Sequence, residues 1–171
     1  MQFNVAQLLK ASPGEERTYT FDEQENRYEE LAADVHGDVR LMRTDRGILV
    51  MGEIQTAVNC ECSRCLAKFT LPIEFTVEDE YLPTIDVNTG LPVGKPEDES
   101  LVIDEHHILD LGETVRQYAI IQMPMKPLCR EACAGICPTC GKDRNRSRCT
   151  CPTETKDPRW AKLASLGSLR I

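Results

Sequence analysis

The sequence predicts an α+β fold: an antiparallel β-sheet or partial barrel with one packed helix, followed by a cysteine-rich C-terminal segment. Three observations carry that expectation. Residues 38–82 alternate apolar and polar side chains with the period of two that turns one strand face toward a core. Asp110 to Gln122 shows helical spacing instead. Six of the nine cysteines lie between Cys129 and Cys151.

Taken in order, Phe3 to Lys10 predicts a strand running into a helical turn, broken by Ser12-Pro13-Gly14. Arg17 to Phe21 alternates and predicts a strand, and the acidic residues 22–34 a loop or edge. Val39, Leu41 and Arg43 open a short strand that Asp45-Arg46-Gly47 turns. Ile48, Val50, Gly52, Ile54, Thr56 and Val58 share one face of the next strand. Phe69, Leu71, Ile73, Phe75 and Val77 share a face of the one after it. Between these two lies Cys60-Glu61-Cys62-Ser63-Arg64-Cys65, so a hairpin with a CxxC at its tip is expected. Residues 83–100, rich in proline, glycine and acid, predict a long loop. Leu101-Val102-Ile103 predicts a short strand. Asp110 and Glu113 have the spacing of a capping box at the start of the helix, and Pro124 and Pro127 stop it. Asp157-Pro158 opens a short terminal helix with Trp160, Leu163, Ala164 and Gly167 inward.

The chain has 171 residues, enough for one domain with a core plus a small appendage. Its net charge of −8 is unevenly spread. Residues 126–171 hold ten Lys/Arg against four Asp/Glu, a net of +6, and residues 1–125 hold ten against twenty-four, a net of −14. The expected organisation is therefore an acidic α+β domain over 1–125 and a basic, cysteine-rich segment over 126–171. No apolar run approaches the roughly 20 residues of a membrane span. Met1 to Ala11 has no charged-then-apolar pattern of a secretory signal. The expected compartment is the cytoplasm, where thiols stay reduced and an odd count of closely spaced cysteines points to metal rather than disulfides.

Cys137-Pro138-Thr139-Cys140-Gly141 is a zinc-knuckle signal. Two sulfurs three residues apart reach one ion, and the glycine permits the tight turn that aims N–H groups at thiolate. Cys149 and Cys151 are the nearest candidates for the other two ligands. Cys62 and Cys65 at the hairpin tip, with Cys129 and Cys133 one helical turn apart, compose a second four-cysteine set that would tie the sheet to the C-terminal segment. One or two structural Zn²⁺ ions are expected, with Cys60 left over. The other reading of the hairpin cysteines is an ordinary turn with two free thiols.

Between Cys140 and Cys149, Lys142, Arg144, Arg146 and Arg148 place a cation at every second residue. Arginine suits bidentate phosphate contacts, which points to RNA. Against this, a Zn²⁺ with four thiolates carries a net charge of −2, and the cations would offset it. The spacing Cys133-x3-Cys137-x2-Cys140 matches radical S-adenosylmethionine enzymes, but those carry it early in a large barrel. A redox CxxC would follow a buried strand and open a helix, which this proline- and glycine-punctuated segment does not. His106 and His107 lie between a strand and a helix start, where solvated polar residues are common.

Cys62-Ser63-Arg64-Cys65-Leu66, Met123-Pro124-Met125-Lys126-Pro127-Leu128-Cys129, the Cys133/Cys137/Cys140 cluster with Gly141 and Asn145, and Asp157-Pro158-Arg159-Trp160 together resemble the YceD-like proteins, called large ribosomal RNA subunit accumulation proteins. The resemblance spans roughly residues 45–166. It implies a bacterial cytoplasmic protein supporting accumulation of the large-subunit ribosomal RNA, and it carries over no catalytic residues. The expected function is a non-enzymatic, zinc-stabilised factor whose partner is ribosomal RNA or a large-subunit ribosomal protein. A membrane partner is not expected, and no small-molecule substrate is evident. The alternative, a metal-dependent hydrolase or nuclease acting on RNA, needs an open coordination position that all-cysteine ligation does not leave.

Overall fold

A computed structural model of the chain describes residues 1–23, 28–93 and 101–152. The longest strands form where the alternation is cleanest. β4 (Ile48–Glu61) and β5 (Lys68–Pro83) are an antiparallel hairpin in which Ile54 faces Phe75 and Cys60 faces Phe69. Ile48, Val50, Ile54, Thr56 and Val58 are all buried, so the inward face is the one the pattern predicts. β3 (Val35–Arg43) joins β4 through the expected turn, where the Gly47 N–H donates to Thr44 Oγ1 at 2.9 Å. β2 (Glu16–Glu23) lines the far side of β3.

The other half of the sheet is built from short pieces. β1 (Gln2–Asn4) leads into α1 (Ala6–Leu9). β6 (Val102–Ile103) and β7 (Ile108–Asp110) follow the loop after β5. The order across the seven-stranded sheet is β1-β7-β6-β5-β4-β3-β2. The pair β5–β6 is parallel, which corrects the fully antiparallel expectation. Parallel neighbours need a crossover of a dozen or more residues, and the stretch between Pro83 and Val102 supplies it. Within that stretch Ile85 bridges Pro92, and the Asp86 carboxylate accepts the Asn88 and Thr89 N–H groups at 2.9 and 2.7 Å.

The sheet curls until its two edge strands meet through side chains. The Phe3 ring on β1 lies 5.1 Å from Tyr19 and 6.1 Å from Phe21 on β2, and the Met1 ammonium is 2.9 Å from the Glu23 carboxylate. α2 (Gly112–Gln122) packs onto β4 and β5 with Val115 and Ala119 fully buried and Tyr118 stacked on Phe75 at 6.0 Å. The buried Tyr81 hydroxyl meets Thr114 on the helix. The helix starts two residues later than expected because Asp110 still belongs to β7. Its carboxylate accepts the Gly112 N–H at 2.8 Å, whereas Glu113 turns to Arg116 and Gln117 and closes no capping box. The terminal helix expected from Asp157, with Trp160, lies outside the described residues.

Candidate metal centres

The hairpin β4–β5 ends in a knuckle. The Cys62 N–H donates to the Ala67 carbonyl and the Leu66 N–H donates back to the Cys62 carbonyl, both at 2.9 Å. The C-terminal knuckle repeats that frame: the Cys137 N–H reaches the Lys142 carbonyl at 2.8 Å, and the Gly141 N–H reaches the Cys137 carbonyl at 2.9 Å. The residue after the second cysteine is left-handed in both, at φ 59° for Leu66 and 70° for Gly141. Glycine takes that conformation freely; leucine takes it at a steric cost.

Each knuckle collects two more sulfurs. Cys62, Cys65, Cys129 and Cys133 bring four Sγ atoms within 4.8 Å of one another, and Cys137, Cys140, Cys149 and Cys151 do the same. Cys62 and Cys133 are 3.8 Å apart, and Cys65 and Cys129 3.7 Å. A tetrahedral zinc with Zn–S bonds of about 2.3 Å separates its sulfurs by about 3.8 Å, so the donor set fits that ion. All nine cysteines are free thiols. The first quartet is the more enclosed: Cys62 and Cys133 are 0% and 3% exposed and pack with Ala67, Phe69 and Leu128, whereas Cys140 of the second quartet lies at the surface. Cys129 and Cys133 meet through a tight turn, the Cys133 N–H donating to the Arg130 carbonyl at 3.1 Å.

The electrostatics favour a thiolate at the first cysteine of each knuckle. Backbone N–H groups of Cys129, Arg64 and Cys65 pull Cys62 well below the ordinary thiol range, and those of Cys140 and Thr139 do so for Cys137. Burial pushes Cys129 up, and sharing a hydrogen with Cys140 pushes Cys151 up. Four sulfurs this close cannot all ionise without a cation among them. Cys60, the cysteine outside both quartets, sits in the core with its Sγ 3.9 Å from Met123 Sδ, where burial raises its thiol.

The basic stretch is pinned along its backbone. Its backbone is laid against the segment before the second knuckle, with Asp143 bridging Ile136 and the Arg144 N–H donating to the Gly135 carbonyl at 2.9 Å. The Lys142, Arg144, Arg146 and Arg148 side chains are all exposed, while Asp143 and Asn145 between them are half-buried. Arg146, 86% exposed, is 3.5 Å from Asp143. Glu80, an acidic residue of β5, is held by Thr44 and Arg46 at 2.7 and 2.6 Å. His106 and His107 sit in a turn organised by Asp104, whose carboxylate accepts the His106 and Ile108 N–H groups at 2.9 and 2.7 Å.

Sequence reasoning missed Asn145 as a site residue. Its amide donates to Cys133 Sγ at 3.5 Å and its Oδ1 accepts the Ala134 N–H at 2.8 Å. Arg64 was also unmarked; its guanidinium donates to the Cys133 carbonyl at 3.0 Å. The one available signal was their place inside the matched motifs.

A curled mixed sheet whose longest hairpin delivers a cysteine knuckle into a C-terminal cysteine module defines the class of protein. The family model described as large ribosomal RNA subunit accumulation protein YceD matches residues 50–167, and the chain belongs to that family. An uncharacterized protein of Mycobacterium tuberculosis strain H37Rv is 29% identical over 130 residues, covering 75% of this chain and 60% of the relative. An uncharacterized protein of Mycobacterium leprae is 27% identical over 138 residues, covering 80% and 61%. The large ribosomal RNA subunit accumulation protein YCED homolog 1, chloroplastic, of Arabidopsis thaliana is 23% identical over 154 residues, covering 77% and 48%. The chain thus spans less than two thirds of the length of these relatives. No solved structure matches it. No helix among the described residues is long and apolar enough to cross a membrane.

Proposed function

We propose that this chain is a non-enzymatic, zinc-stabilised factor of the cytoplasm that supports accumulation of the large-subunit ribosomal RNA, and that it touches RNA through Lys142, Arg144, Arg146 and Arg148. Cys62, Cys65, Cys129 and Cys133 would hold one Zn²⁺, and Cys137, Cys140, Cys149 and Cys151 a second. A zinc closed by four thiolates supplies folding energy and rigidity to the chain around it. The family description and the printed name of the Arabidopsis relative support the ribosomal assignment. Against a hydrolase or nuclease stands the donor set, since four thiolates leave no position for an activated water.

One observation carries the RNA contact. The four cations are exposed on a loop whose backbone is pinned, and none of them is among the groups hydrogen-bonded to Cys62, Cys133 or Cys137. The groups facing Cys62, Cys133 and Cys137 are backbone N–H groups, neighbouring thiols and the Asn145 amide. The cations are left pointing outward, where phosphate can reach them.

Binding of the full chain to a large-subunit ribosomal RNA fragment should weaken steeply with salt, by about 0.7 log units per phosphate contact for single strands. Replacing Arg144, Arg146 and Arg148 with Ala should flatten that slope by about two units. Stability should hardly move, because exposed ion pairs contribute about 0–1 kcal/mol each. Wild-type affinity and slope in the triple variant would refute the contact. Co-purification of a basic ribosomal protein in place of RNA would move the interface to the acidic residues 1–125.

A further inference from the structure

The two cysteine quartets are separate sets of ligands, yet the chain between the ligands of one is bonded to the ligands of the other. Asn145 belongs to the stretch that Cys140 and Cys149 bracket. Its Nδ2 donates to Cys133 Sγ of the first quartet at 3.5 Å. Its Oδ1 accepts the Ala134 N–H at 2.8 Å and the Arg130 guanidinium at 2.7 Å, so it clasps the whole turn that carries Cys133. The Asp143 carboxylate fixes Asn145 in turn, accepting its backbone N–H at 2.8 Å and its amide at 2.7 Å.

The rest of the contact runs the same way. The Ile136 N–H, one residue before Cys137, donates to the Arg64 carbonyl inside the hairpin knuckle at 3.0 Å. Gly135 at φ 70° makes the approach possible, and a Cβ there would stand 3.0 Å from that carbonyl. The stretch holding Asn145 has little apolar side chain to order it. It is held by its bonds to Arg130, Ala134, Gly135 and Ile136 and is bracketed by the knuckle of Cys137 and Cys140 and by Cys149.

We propose that the two centres bind metal as one positively coupled unit, and that Asn145 is the positioning residue that couples them. The inference rests on the zinc reading of the quartets. Metal at the second centre orders residues 141–149. Ordering delivers the Asn145 N–H to the Cys133 thiolate, which stabilises the charged sulfur and orients it for the first metal. By linkage, metal at the first centre strengthens binding at the second by the same factor. Hydrogen bonds of this outer kind typically change metal affinity by about 10–100-fold.

The test uses the full chain titrated with Zn²⁺ against a competing chelator. Cadmium, which binds the same tetrathiolate sets, gives each centre its own NMR resonance. The double variant Cys140→Ser with Cys149→Ser removes the second centre. It should lower first-centre affinity by about 10–100-fold. Asn145→Ala in the wild-type background should lower it by a similar factor, and adding Asn145→Ala to the double variant should lower it no further. Asn145→Asp keeps the acceptor used by Ala134 and Arg130, and removes the amide that donates to Cys133 Sγ and to Asp143, setting a carboxylate against each. It should lose affinity while Ala134 keeps its amide protection. Full additivity, an unchanged first-centre affinity in the double variant, or wild-type affinity in Asn145→Asp would each overturn the coupling. Two zinc ions bound independently would overturn it and leave the zinc reading standing. A wild-type chain that binds no zinc would overturn both.

Discussion

The curled sheet and the cysteine module are held together by different physics. The sheet buries Val39, Leu41, Ile48, Val50, Ile54, Tyr81, Leu109 and Leu111 completely, a continuous core that helix α2 caps. Among the described residues the module has no comparable core: its buried cluster is Cys62, Cys65 and Cys133, with Ala67, Phe69, Leu128 and Cys129 around them, and Cys137 is buried at the second knuckle. The described residues 126–152, with so little apolar area, cannot by themselves offset the entropy of ordering their backbone, at about 1–2 kcal/mol per residue. The sheet is therefore expected to fold on its own hydrophobic core and the module only with its metal. The junction is the hairpin tip, which belongs to both.

The largest expected effect breaks the module and spares the sheet. Cys137→Ser should remove one zinc and unfold residues 137–151, since structural zinc contributes about 10–16 kcal/mol in small zinc-binding peptides. Elemental analysis and amide exchange would show one zinc fewer and lost protection confined to that stretch. The converse is Ile54→Ala, which leaves a cavity in the sheet core and should cost about 2–5 kcal/mol in denaturant unfolding. Its zinc stoichiometry should stay at the wild-type value under native conditions. Tyr81→Phe should cost about 1–3 kcal/mol, because it strands the buried Thr114 hydroxyl. The smallest effect separates the two knuckles. Gly141→Ala should cost about 1–2 kcal/mol locally by forcing a side chain into a left-handed conformation. Leu66→Gly relieves that strain at the equivalent place and should leave thermal stability unchanged or slightly raised.

How much of this was legible in the sequence follows the same divide. The β4–β5 hairpin was readable because 14 and 16 residues of strand repeat their period many times. The cysteine grouping was readable because knuckle spacing is local and strict. What closes the sheet was not. β6 and β7 have two and three residues, too few to show a period, and β1 finds β7 more than a hundred residues away. The capping box failed for a related reason: Asp110 was already committed to pairing with Gln2. Asn145 stood in the motif that carries the resemblance, but its role was not legible, because its partners Cys133, Ala134 and Arg130 lie in a segment with no periodicity to place them.

The measurement that tests this division most directly is amide exchange on the full chain with and without a strong zinc chelator. Chelation should strip protection from the Cys62, Leu66, Cys133, Cys137 and Gly141 amides, all of which donate within the module. It should leave the β3–β4 ladder around Val39, Leu41 and Val50 protected as before. Equal loss in both regions, or no loss in either, would contradict the account.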